Sequence, residues 1–65
     1  MNRLSPAERS ALEAVLRHGT VKGAAAALGK SPRTVEQQLA HVRERLDVGT
    51  TVEAIRSVFI DPRHR

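Results

Sequence analysis

Seven acidic residues and three histidines, with no cysteine, are the groups in this 65-residue chain that could do acid–base or metal chemistry. Their spacing argues against both. Catalytic carboxylates need a cleft and perturbed partners. Glu8 and Glu53 instead follow Ser5 and Thr50 by three residues, the spacing of a capping box at a helix start. His18, His41 and His64 fall on three separate segments, with no recognisable ligand spacing. His18 reads as a helix-end residue and His64 as part of a tail. Ser5, Thr20, Ser31 and Thr50 read as helix caps rather than nucleophiles. Gly29-Lys30-Ser31 ends like a phosphate loop but lacks that loop's other glycines and its preceding strand. The sequence therefore predicts no enzyme, no metal site, no cofactor and no small-molecule ligand.

A different chemistry is available to Arg33, Glu36, Gln37, Ala40 and His41. An amide like that of Gln37 can make a bidentate contact to adenine, and the methyl of Ala40 can touch a thymine methyl. Glu36 can accept from a cytosine amine or serve as a solvated partner of Arg33 or Arg43. Arg33 can reach guanine or a phosphate, and His41 reads as a donor on the same side. Such contacts require a helix that holds these residues on one exposed face. Val35, Leu39, Val42 and Leu46 step by four, three and four, which predicts a helix with one narrow apolar stripe. Arg33, Gln37, Ala40, His41 and Glu44 then lie opposite the stripe, with Glu36 and Arg43 at its flanks.

Four helices follow from caps and apolar spacing, with no strand. The first opens at Ser5 with Pro6 in the first turn, carries Leu12, Val15 and Leu16 as its stripe, and stops near His18-Gly19. The second, capped by Thr20, runs over Val21–Leu28. Gly23 there costs up to about 1 kcal/mol against alanine, so its small residues are expected to let another helix approach closely. The third begins after Ser31 with Pro32 and ends near Leu46 or Asp47. The fourth starts at Thr50, buries Val52, Ile55 and Phe59, and stops at Asp61-Pro62. Residues 1–60 form the domain and residues 61–65 a flexible basic tail. Only Gly29, Lys30 and Ser31 separate helices two and three. So short a turn makes the two helices cross steeply, as in a helix-turn-helix.

Composition agrees. Eleven Lys and Arg against seven acids give a formal charge of +4 and a pI near 11.2, which invites an anionic partner. Phe59 is the single aromatic residue. Single-strand and RNA platforms stack bases on several rings, so double-stranded DNA is the expected partner. Lys22, Lys30, Thr34, Arg43 and Arg45 are candidates for phosphate contact or plain solvation. No apolar run nears the roughly 20 residues that span a bilayer, and the N-terminus lacks a signal-peptide pattern. A cytoplasmic, nucleoid-associated location without membrane contact is expected.

Leu4-Ser5-Pro6-Ala7-Glu8-Arg9, Gly19, Ala25, Leu28-Gly29, Ser31-Pro32-Arg33-Thr34-Val35 and Arg45-Leu46-Asp47-Val48 resemble the DNA-binding domain of LuxR-type regulators, the effector domain of many response regulators. The resemblance runs from about Leu4 to Phe59. It implies a four-helix fold, dimers through helix four and binding to inverted half-sites. It places base contacts at Glu36, Gln37 and Ala40, and backbone contacts near Thr20, Lys22, Thr34, Gln38 and Arg45. Glu36 and Gln38 stand where that family often has a basic residue and usually a histidine. Such regulators normally carry a sensor domain, for which 65 residues leave no room, so a regulator without its own sensor is expected. Thr51, Ala54 and Val58 form a second stripe on helix four, the expected seam of a homodimer formed in solution or only on DNA. The competing expectation is a small helical adaptor that binds another regulator or RNA polymerase through the same surface.

Overall fold

The computed structural model describes residues 4–60. Four α-helices follow one another: α1 (Pro6–His18), α2 (Val21–Leu28), α3 (Pro32–Leu46) and α4 (Thr51–Ile55). The last continues as a π-helical stretch over Arg56–Ile60. The described residues contain no strand, as expected for an all-α helix-turn-helix. The expected stop at Asp61-Pro62 and the basic tail lie outside the described residues.

Each α-helix starts at a hydroxyl cap. Ser5 Oγ accepts from the Glu8 amide at 3.2 Å, while Glu8 Oε1 accepts from the Ser5 amide at 3.0 Å. Thr20 Oγ1 accepts from the Gly23 amide at 2.9 Å and Ser31 Oγ from the Thr34 amide at 3.2 Å. Thr50 and Glu53 repeat the reciprocal box. These bonds satisfy amides that a helix start leaves without a partner. α1 and α2 end at Gly19 and Gly29 in the left-handed region, with φ of 81° and 69°. After Gly29 the Lys30 amide reaches back to the Ala25 carbonyl at 2.9 Å, which closes the end of α2 and turns the chain into the Ser31 cap. α3 ends at Asp47, with φ of 56°, a conformation that a short polar side chain tolerates.

The core consists of Ala11, Leu12 and Ala14 from α1, Ala24 and Ala25 from α2, Val35, Leu39 and Val42 from α3, and Ala54 from α4. α1 packs on all three other helices. More than half of these side chains are methyl groups, so backbones rather than long side chains set the helix separations. The stripe expected on α3 is the buried one, with Leu46 half-buried at its end.

Two expected faces differ. On α1 the buried set is Glu8, Ala11, Leu12 and Ala14, while Leu16 is 44% exposed. Large apolar side chains marked the stripe in sequence, but alanines make the close contacts. On α4, Val52 is 71% exposed, Ile55 and Phe59 are half-buried, and Ala54 is the fully buried residue. Within the regular turns Thr51–Ile55 the small Ala54 takes the buried position, and the change to π-helical turns at Arg56 then shifts Phe59 off the 3.6-residue period. It leaves the Phe59 ring beneath the Arg9 guanidinium, 5.0 Å from its centroid. Gly23 also acts more locally than expected. A Cβ there would meet Thr20 Oγ1 at 3.1 Å and His18 Cβ at 3.2 Å, so its small size serves the α1–α2 turn and the Thr20 cap.

Gly29 tests the turn. A Cβ there meets nothing within 4 Å, so the penalty of Gly29→Ala is conformational alone, about 1–2 kcal/mol. Urea denaturation should show that loss as a lower midpoint with an unchanged slope. An unchanged midpoint would mean that the left-handed turn is not required.

Candidate nucleic-acid interface

With Val35, Leu39 and Val42 buried, α3 turns its other side outward. Arg33, Glu36, Gln37, His41 and Glu44 are exposed there, and Ala40 is half-buried beside them. No other element of the described chain covers this face. Thr20 and Lys22 at the start of α2 and Lys30 in the turn before α3 are exposed as well. The Ser31 cap lies at the N-terminal end of α3, where unpaired amides and the helix dipole favour an anion. The surface thus joins groups able to read base edges with cations and a helix start able to hold a phosphate backbone.

The remaining expected contacts are less free. Thr34 is half-buried, and its hydroxyl is 3.0 Å from Ser31 Oγ, within the cap itself. Gln38 is half-buried, and its Oε1 is buried without a hydrogen-bond partner. Arg43 Nη1 donates to Thr51 Oγ1 at 3.0 Å. Arg45 Nε lies 3.0 Å from Glu8 Oε1 and 3.1 Å from Oε2. The two arginines near the end of α3 are therefore bonded within the chain, one to α4 and one to α1. Nothing in the local sequence pointed to Glu8 as the partner of Arg45. A capping role accounts for Glu8 within its own helix, and the two residues are 37 positions apart.

Of the expected dimer seam, one residue is taken out of reach and two are half-buried. Ala54 is wholly buried in the chain's own core, Val58 packs against that core, and Thr51 is engaged with Arg43. The residues that α4 leaves exposed and apolar are Val52 and Ile60, the latter 67% exposed.

The Glu8 carboxylate is held below its ordinary range. The bond from the Ser5 amide is the largest cause, and the hydrogen bond and charge of Arg45 add to it against the opposing effect of burial. A carboxyl with a lower pKa folded than unfolded stabilises the fold above its unfolded pKa. That contribution is lost as pH falls through the folded value. Urea midpoints followed from neutral pH into the acid range should therefore fall less steeply in Glu8→Gln than in wild type. Equal acid dependence would show that Glu8 is not a coupled group. The Glu8 carboxyl, followed by NMR, should titrate higher in Arg45→Ala.

Among the described residues, no three His, Asp or Glu side chains are grouped to hold a metal ion, and no helix is long and apolar enough to cross a membrane.

The family model of the bacterial regulatory helix-turn-helix proteins of the lysR family matches residues 9–49, more than half of the chain. The chain belongs to that family, and its α2–turn–α3 unit is a DNA-binding helix-turn-helix. The match supports the lysR family rather than the LuxR type implied by the sequence resemblance. It begins after Leu4-Ser5-Pro6, one of the most specific parts of that resemblance. The other motifs of that resemblance lie within the match, Arg33-Thr34-Val35 and Arg45-Leu46-Asp47-Val48 among them, and of these Leu28-Gly29 and Ser31-Pro32 are the turn and cap that any helix-turn-helix needs for local reasons. No curated protein and no solved structure matches the chain.

Proposed function

From membership of the lysR family, we propose that this chain is a sequence-specific regulator of transcription that binds double-stranded DNA by placing α3 in the major groove. The observation that carries the reading is the uncovered outer face of α3, set opposite a buried aliphatic ridge, with Thr20, Lys22 and Lys30 exposed on α2 and the turn that precede it. Arg33, Glu36, Gln37 and Ala40 contact bases, as expected of the first turns of a recognition helix. Thr20, Lys22, Lys30 and Thr34 meet phosphates, with Gln38 beside them. Gln38 is half-buried, and its Nε2 is the group that can donate to a phosphate oxygen. The acids Glu36 and Glu44 on this face oppose phosphate, so they favour a fit in which α3 meets base edges and the lysines carry the backbone charge.

Two copies bind more tightly than one, because the binding free energies of two half-sites roughly add. Such pairing runs through helix four and its continuation, where Val52 and Ile60 are exposed and Thr51 and Val58 half-buried, while Ala54 is buried in the chain's own core.

Selection from a random duplex pool, followed by binding in a salt series, tests the function. Lys30→Ala should weaken all duplexes alike and reduce the slope of log K against log salt by about 0.9. Gln37→Ala should relax preference at one base position, losing about 1–3 kcal/mol of discrimination there. Equal losses on every sequence for both variants would contradict these roles. A protein adaptor would bind no duplex and show no salt slope. Sedimentation with the selected duplex should show two copies for wild type and one for Val52→Glu. Identical behaviour would remove α4 from the seam.

A further inference from the structure

The arginines at positions 43 and 45 lie near the end of a helix that would sit against DNA, yet both are spent inside the molecule. Arg45 Nε is almost equidistant from the two Glu8 oxygens, at 3.0 and 3.1 Å. Glu8 Oε1 also takes the Ser5 amide at 3.0 Å. The Glu8 side chain is 10% exposed and that of Arg45 is 52% exposed. One buried carboxylate thus joins the start of α1 to the last turns of α3. Solvent screens a half-exposed arginine, so the pair adds little to global stability. What it fixes is the direction of α3. The turn at Gly29 holds the helix at one end, and Arg45–Glu8 and Arg43–Thr51 hold the other. With the Arg45 end released, α3 pivots at its start, and Gln37 lies six residues from the Ser31 cap, about 9 Å along the axis. A tilt of about 10° over that length moves the Gln37 side chain by about 1.5 Å, more than a hydrogen bond tolerates.

We propose that Glu8 and Arg45 are positioning residues for base recognition: the buried carboxylate withdraws Arg45 from phosphate and sets the angle at which α3 presents Arg33, Gln37 and Ala40. The proposal rests on the DNA-binding reading above. It has an uncommon consequence, since an acidic residue supports binding to a polyanion. Charge alone predicts that removing Glu8 raises affinity for every duplex. Positioning predicts that removing it lowers selectivity.

The test compares the duplex selected by wild type with a random duplex of equal length, for wild type, Glu8→Gln, Arg45→Ala and Arg45→Lys. Glu8→Gln should bind random duplex as well as wild type or better. Its selected-to-random ratio should fall about tenfold, as for the loss of one good base contact. Arg45→Ala should lose the same factor with an unchanged salt slope on random duplex. Arg45→Lys keeps the charge but not the planar fork, so it should keep random-duplex affinity and lose selectivity, which separates the proposal from a failure to fold. A salt slope reduced by about 0.9 in Arg45→Ala, with selectivity intact in Glu8→Gln and Arg45→Lys, would overturn the proposal and make Arg45 a phosphate contact. Wild type that binds no duplex would overturn the DNA-binding reading, and this proposal with it.

Discussion

The structure depends on the burial of one aliphatic ridge. Val35, Leu39 and Val42 are almost completely removed from water, and the elements they meet are lined largely by alanine. Apolar burial supplies the main driving force in so small a chain. Long side chains between the helices would hold them apart. Methyl groups let backbones approach closely, so a domain with few large apolar residues still closes around α3. With its inner side fixed, α3 has one remaining side, and that side carries Arg33, Glu36, Gln37 and His41 into solvent. Exposure of the recognition face is thus a consequence of packing and needs no separate device.

The polar interactions refine what packing sets. Four hydroxyl caps fix where helices begin, and Gly29 fixes how α2 gives way to α3. The ionic and hydrogen-bonded tethers of Arg45 and Arg43 hold the far end of α3 against α1 and α4. The basic balance of the chain is therefore not all directed outward. Arginines near the end of α3 serve the fold, while lysines around the turn remain exposed. A count of positive residues overstates the charge available to a partner.

Much of this architecture was legible in the sequence, and the reason is locality. A cap and its amide are three residues apart, a left-handed stop follows its helix directly, and the α3 stripe repeats within one element. The boundaries of α1 and α2 and the buried side of α3 could be read for that reason. Two kinds of feature could not. One is contact made by small residues: Ala11, Ala14 and Ala54 are in the core, whereas Leu16 and Val52 remain in solvent. The other is pairing across the fold, as between Glu8 and Arg45 or Arg9 and Phe59, for which sequence spacing gives no sign. The π-helical end of α4 belongs with these, because it changes the period used to assign a face. The distinction between the LuxR type and the lysR family was obscured for a related reason. Caps, turn and buried ridge are demands of the shared helix-turn-helix, so residues that satisfy them separate the two poorly.

If α3 is the recognition helix, its outer side is the surface that meets DNA. The most direct measurement is an amide chemical-shift titration of the labelled protein with its selected duplex. Shifts should concentrate at Arg33, Glu36, Gln37, Ala40 and His41, with a second group at Thr20, Lys22 and Lys30, and little change at Glu13 and Arg17 on α1. Shifts centred on α1, or amides of α3 that stay unmoved in excess duplex, would contradict it.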